Sequence, residues 1–430
     1  MLSVALPGVG LSLAAQSYGS YTPYSIFGVG DLSEPGSAYN KSMAGTGIAT
    51  RNHRFLNTAN PAAVTARDSL AFMVDVSMFQ DNKFFRQADM KSVSNTTGIG
   101  NLAISFPIWR SSAMTLGIRQ FSSTGYSYGY RFEDPSVIGH TGNVTYTATG
   151  RGSIYQAYVG AGATFWRRLS IGAEFLLYFG NTKKTFTESF AESSYNGASN
   201  GHNIRMLAPA GRFGIQYEIP VGKSSSITAG AVYRTSARMS GNIESYRFSS
   251  GSAASDTLYY RSGAPMGVSI ASEAGVGLAF RSGDKFSAEF NYTRSDWRGT
   301  ALDVTEGFTG NLVQSEGHSK FGLSVADSYR LGFEFTPNRN DIRYYFKRVT
   351  YRAGAYYKND YFTVDGHGIN AFGITLGATL PVFRWYNGIT IGMDFGQRAS
   401  TAGNLIRERY INFSIGFNLF DIWFQQPRYD

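Results

Sequence analysis

From Tyr410 to Phe424 the chain alternates between apolar and polar positions. Ile411, Phe413, Ile415, Phe417 and Leu419 share one parity, and Asn412, Ser414, Gly416 and Asn418 share the other. A period of two predicts a strand with one apolar face. The same pattern recurs back to about Leu70, in Leu70–Met78, Leu102–Ile108, Met114–Ile118, Tyr155–Phe165, Leu169–Leu177, Phe213–Ile219 and Ile227–Tyr233. It continues in Ile270–Phe280, Phe286–Tyr292, Tyr329–Phe335, Tyr351–Tyr357, Phe372–Leu380 and Ile389–Phe395. This predicts an all-β chain of about fourteen strands, an even number as bacterial single-chain barrels have.

The two parities differ in charge. The apolar parity is almost free of charged residues. The other carries Arg119, Glu174, Arg212, Glu218, Arg234, Glu273, Glu289, Arg330, Glu334, Arg352 and Asp394. In a transmembrane antiparallel β-barrel the first face meets lipid and the second lines the lumen as a charge network. In a soluble sandwich the first would be the core and the second would face water.

The connections sort the same way. Trp109–Ser112, Arg167–Arg168, Val221–Ser225, Arg281–Lys285 and Val382–Asn387 are short, and Asn338–Lys347 is the longest of that set. The alternate connections, Gln80–Ser94, Thr124–Ser153, Thr187–Asn203, Ser236–Ala264 and Arg298–Ala326, are expected to be long loops. Short turns at one end and long loops at the other are the outer-membrane pattern, which predicts a bacterial outer-membrane location with both termini periplasmic. Trp109, Trp166, Trp297, Trp385 and Trp423 lie near strand ends and are expected in an interfacial girdle.

Three divisions follow. Residues 1–16 read as the remnant of a signal peptide, and residues 69–430 as the barrel. Residues 17–68 show no sustained period, with a short helix expected around Ser42–Ala49, and read as a plug, or hatch, inside the lumen. A barrel of this size is too wide for its own side chains to fill. Inward glycines at positions such as 160, 162, 172, 214, 230, 277, 332, 354 and 377 would let a second backbone approach closely. Asp31, Glu34, Lys41, Arg51, Arg54, Arg67 and Asp68 are available to pair with lumen charges. Pro107 and Pro209 are candidates for strand ends or bulges in the wall.

Within that segment, MAGTGIAT at Met43–Thr50 and FLNTANPAA at Phe55–Ala63 resemble the hatch of the FadL-type outer-membrane transporters of hydrophobic compounds. YSIFGVGDL at Tyr24–Leu32 resembles a divergent branch of such barrels. The resemblance implies a fourteen-stranded barrel plugged by a hatch, with Gly45, Gly47, Asn57, Asn60, Pro61 and Ala62 as hatch residues. It also implies passive uptake of small hydrophobic, fatty-acid-like molecules. Phe84, Phe85, Tyr126, Tyr128 and Tyr130 are then candidate ligand-contacting aromatics on the loop side.

Composition narrows the classes. There is no cysteine, hence no disulfide, thiolate metal site or cysteine nucleophile. No run approaches the ~20 apolar residues of a transmembrane helix. The net charge of +9 comes from scattered Lys and Arg, without the basic helix or cluster that nucleic acid would require. The five histidines fall in no paired metal spacing, and no catalytic set is evident. The chain is therefore expected to be neither an enzyme nor a cofactor or metal binder. Its expected partners are outer-membrane lipid and a small hydrophobic molecule. The alternative reading is a non-transporting barrel subunit or docking protein of an outer-membrane secretion or assembly complex, with other outer-membrane proteins or lipoproteins as partners.

Overall fold

A computed structural model describes residues 20–67, 70–109, 111–132, 142–192, 195–250, 255–310, 320–382 and 388–422. The signal-peptide stretch, Asp68, Trp385, Trp423 and most of the Val382–Asn387 turn lie outside the described residues.

The strands form a closed fourteen-stranded antiparallel barrel. Closure is made by Ala71–Gln87, which pairs with Met90–Trp109 on one side and with Arg407–Ile422 on the other, in register from Ala71 opposite Ile422 to Arg86 opposite Arg407. The alternation is realised as read. Along Phe372–Leu376 the exposed residues are Phe372, Ile374 and Leu376, while Gly373 and Thr375 are buried. The exposed wall is the lipid face of a transmembrane barrel of outer-membrane type.

The expected long loops are instead mostly strand. Ala71–Gln87 and Met90–Trp109 form one unbroken hairpin, and Val144–Phe165, Leu169–Phe190 and Gly197–Val221 also run far past the apolar bands. The ladder continues there without an alternation to reveal it, because beyond the bilayer neither face has to be apolar. The Arg298–Ala326 connection does not simply project outward. Leu302 and Phe308 are buried. Trp297 is only 1% exposed and its ring lies 4.5 Å from that of Tyr361, so it is an interior residue and not part of a girdle. Trp109 and Trp166 are exposed near the short-turn end.

Two neighbouring strands are interrupted. The seventh consists of Ser225–Arg234 and Ser240–Ser250, and the eighth of Ser255–Pro265 and Glu273–Ser282. Between the pieces, Ala237–Arg238 pairs with Ser269–Ile270 as a separate ribbon. The sixth strand passes this gap intact. It pairs through Gly197–Leu207 with the upper piece and through Arg212–Val221 with the lower. Pro209 sits at that height, paired with Leu177 of the fifth strand and without a ladder partner on the side of the gap. Near Pro107 the ladder has a register shift.

Candidate functional site

The N-terminal segment lies against the inward face of the wall. Thr22 caps a 3-10 turn at Pro23–Ile26, Asp31–Leu32 pairs with Ser122–Ser123 of the wall, and Asn60 caps a second 3-10 turn at Pro61–Thr65. The α-helix is a single turn, Ala38–Lys41, displaced from the expected Ser42–Ala49. Ala44 and Gly45 have φ of 57° and 76°, left-handed values that bar a helix there.

Inward glycines let the two backbones touch. A Cβ on Gly172 would stand 2.6 Å from the Ala62 nitrogen, on Gly277 3.2 Å from the Ala49 nitrogen, and on Gly354 2.7 Å from the Met43 carbonyl carbon. Gly214 faces Asn60 and Pro61, and Gly377 faces Ser42.

The hatch candidates form one hydrogen-bonded knot. Asn60 donates from Nδ2 to the Ile48 carbonyl at 2.7 Å and accepts the Ala62 N–H on Oδ1 at 2.9 Å. Asn57 donates to the Gly47 carbonyl at 2.6 Å. Asn40, which sequence reasoning missed, donates to the Thr46 carbonyl at 2.8 Å and to Asn57 at 3.2 Å. The signal for Asn40 was its place three residues after Ser37, whose N–H it accepts at 3.1 Å.

Charged wall residues hold this knot from outside. Glu289 accepts the N–H groups of Gly47 and Ala49, at 3.1 and 2.7 Å, and the Thr50 hydroxyl. Arg330 bridges Glu34 at 2.8 Å and the Ala44 carbonyl at 2.7 Å. Arg212 pairs with Glu174 and donates to the Thr58 carbonyl. Arg352 pairs with Glu334 at 2.9 Å and lies over the stacked rings of Tyr39 and Phe55. Glu218 faces Arg51 at 3.5 Å, and Arg54 reaches Asp284 at 2.9 Å. Three network candidates engage the wall itself: Arg119 bonds Gln156, Glu273 lies 3.6 Å from Arg234, and Asp394 accepts the Tyr356 hydroxyl.

A second cluster lies nearer the long-hairpin end. Arg398 sits among Asp31, Asp360 and Glu408, at 3.0, 2.6 and 3.6 Å, and Lys83 also reaches Asp31, at 3.1 Å. Burial works against ionisation of Asp31, but Lys83, Arg398 and Lys358 outweigh it and hold the carboxyl well below the usual range. For Glu34 burial is likewise opposed and overcome by Arg330 and Lys358.

Above these charges the lumen is apolar and occupied by the chain itself. Phe27 stacks on Phe321 at 5.3 Å and packs against Phe362. The Phe308 carbonyl accepts the Gly28 N–H at 2.7 Å, and Lys184 donates to the Ile26 carbonyl at 2.6 Å. Two cavities of about 130 and 200 Å³ lie beside the segment, and charged groups including Asp31, Glu34, Arg330, Lys358 and Arg398 line both.

The loop-side aromatics do not share a surface. Tyr126 is fully buried, Phe85 is buried beside Tyr21, and Phe84, Tyr128 and Tyr130 are exposed.

A sequence model of the BamG family matches residues 1–430. The chain belongs to the BamG family. Its fold is similar to those of toluene transporters and a FadL homologue. The Pseudomonas putida toluene transporter TodX superposes with a TM-score of 0.59 at 14% identity, covering 92% of this chain and 100% of that one. The Ralstonia pickettii toluene transporter TbuX gives 0.57 at 14%, covering 90% and 98%. A Pseudomonas aeruginosa FadL homologue gives 0.54 at 13%, covering 91% and 98%. The likeness to these barrels is one of fold. No curated protein matches its sequence.

Proposed function

We propose that this protein is a closed outer-membrane barrel that works as a subunit or docking protein of an outer-membrane secretion or assembly complex. Residues 17–68 act as a fixed hatch, and both termini are periplasmic. One observation carries the reading: the apolar part of the lumen, where a hydrophobic solute would lodge, is filled by Phe27, Trp297, Phe308, Phe321 and Phe362. The two cavities beside the segment are small, and charged groups line both among apolar ones. An apolar molecule entering either would meet those charges, and separating them from their partners is costly. Apolar surface lies on the outside instead. Leu258, Tyr259 and Tyr260 are exposed on the hairpin piece Ser255–Pro265, which among the described residues has a ladder partner on one side only. A free strand edge with exposed rings is a template for pairing with another chain.

A second reading is passive uptake of small hydrophobic, fatty-acid-like molecules. The fold shared with the toluene transporters favours it, as does the interruption of the wall at Arg234–Ser240. It requires Phe27 and Phe308 to move aside.

Gentle extraction from the native membrane, with a photoreactive residue at Tyr259, separates the two. The docking reading expects one protein cross-linked at fixed stoichiometry and no toluene or fatty-acid flux in proteoliposomes. An apolar molecule of a few hundred daltons bound in the lumen (an order of magnitude set by ligand size), together with such flux, would replace it with the uptake reading.

A further inference from the structure

The turn Asn338–Arg348 departs from its neighbours at the short-turn end. It is the longest there, and its sequence NRNDIRYYFKR places four cations, Arg339, Arg343, Lys347 and Arg348, around one acid, Asp341. Asp341 is used internally. Its carboxylate accepts the N–H groups of Tyr344 and Arg343 at 2.7 and 2.9 Å, Lys347 lies 3.5 Å from it, and these neighbours hold it below its ordinary range. The Asn338 N–H closes the base of the turn on the Lys347 carbonyl at 2.8 Å. A four-residue helix, Tyr345–Arg348, ends the loop. The result is a hydrogen-bonded knuckle with exposed apolar groups: Ile342 is 93% exposed and Phe346 75%, with Tyr344 and Tyr345 also exposed.

Two hydrogen bonds set its direction. Tyr351 lies on the lipid face of the wall, on the exposed parity opposite Phe335, and its hydroxyl donates to the Phe346 carbonyl at 3.2 Å. Tyr345 donates to the Pro381 carbonyl at 3.0 Å, beside the exposed Val382 of the next turn. The Tyr345–Phe346 stretch is therefore tied to the exposed side of the wall, at Tyr351 and beside Val382, while Ile342 and Phe346 project from the knuckle.

We infer that Asn338–Arg348 is a membrane foot: Ile342 and Phe346 insert at the headgroup boundary of the leaflet at the short-turn end, and the surrounding cations bind anionic lipid phosphates. Three features support lipid as the occupant. Tyr345 and the Phe346 carbonyl are hydrogen-bonded to the exposed side of the wall. The net charge of the knuckle matches phosphate. Tyrosines and cations flanking apolar tips are what an interfacial element carries. The foot fixes the height and tilt of the barrel, independently of whether the lumen conducts.

The chain has no cysteine, so a single Ile342→Cys variant of the full-length protein can carry an environment-sensitive fluorophore. A Lys223→Cys variant, in the exposed Val221–Ser225 turn at the same end, serves as the aqueous control. Both are reconstituted without any partner protein in phosphatidylethanolamine vesicles, with and without phosphatidylglycerol. The expected result is blue-shifted emission at Ile342→Cys, quenched by a lipid carrying a nitroxide near the headgroup, with Lys223→Cys unaffected. Native mass spectrometry should show retained phosphatidylglycerol, reduced roughly fivefold in R343Q. Water-like emission at Ile342→Cys in both vesicle types would overturn the inference. So would shielding that appears only in native envelopes, since that would assign the knuckle to a protein partner. Insertion without preference for phosphatidylglycerol would overturn the phosphate component.

Discussion

Glu289 holds Ala49 by the backbone. Its Oε1 accepts the Ala49 N–H at 2.7 Å, from a strand 240 residues further along the chain. The same carboxylate takes the Gly47 N–H and the Thr50 hydroxyl, so one wall side chain satisfies three donors of a loop that makes no regular structure of its own. Such a loop has few ways to pair buried amides, and a carboxylate is a strong acceptor for them. Glu289→Gln keeps the shape but loses the charge. It should lower stability by about 1.5–3 kcal/mol and expose the Met43–Thr50 stretch to protease in the folded barrel. An unchanged melting temperature with an unchanged cleavage pattern would show that the loop is held by its own bonds.

Close backbone approach predicts a contrast between two glycines. Gly172→Ala places a methyl group against Pro61 and Ala62, where only backbone could yield. It should destabilise by about 1–3 kcal/mol and loosen the segment. Gly368→Ala meets nothing within 4 Å and should be close to neutral. Parallel denaturation of the two variants in detergent checks this, and equal stability would mean that the lumen gives way easily at Pro61.

Acid should release the hatch late. Asp31 and Glu34 are held low by their cationic neighbours against the opposing effect of burial. A depressed folded-state pKa contributes stability that is complete above the unfolded value, about 4, and is lost as pH falls through the folded value. The segment should stay seated from neutral pH down to about 4 and loosen only in stronger acid. Asp31→Asn leaves Lys83 and Arg398 short of a partner. It should cost about 3–5 kcal/mol at neutral pH and flatten the acid dependence. Limited proteolysis across a pH series measures both, and release near pH ~6, where histidine titrates, would point to another group.

The division between what could be read from the sequence and what could not follows the bilayer. Tyr410–Phe424 announces itself because one face must meet lipid, and Glu289 and Arg330 because the other face must not. The continuation of Ala71–Gln87 past Met78 was hidden, since above the bilayer both faces are free to be polar. Trp297 was misplaced for a related reason: proximity to a strand end does not tell whether the ring turns toward lipid or folds back over the lumen. The Asn-Pro-Ala element was visible as a motif. Its partner Asn40 was not, because the Asn40–Asn57 bond joins two stretches that share no period. Lys358 and Arg398 also lay just past the apolar bands, and only the closed barrel brings them to Glu34 and Asp31.

Asn60 and Pro61 offer the most direct test of closure. Asn60 joins the Pro61–Thr65 turn to the Ile48 carbonyl, and its side chain caps that turn. Pro61 supplies a fixed φ at the first position of the turn and packs against Gly172 and Gly214. Replacing both with Ala removes the cap, at about 1 kcal/mol, and leaves the Ile48 carbonyl with Gln216 as its remaining side-chain donor, at 2.9 Å. The barrel itself should survive, because its ladders do not involve either residue. What should change is passive conductance to small ions in planar bilayers, which is expected to rise from a closed baseline as the segment loosens from the wall. Conductance that stays at baseline in the folded variant would mean that the seal lies higher, at Phe27 and Phe308, and the informative substitution would then be Phe308→Ala.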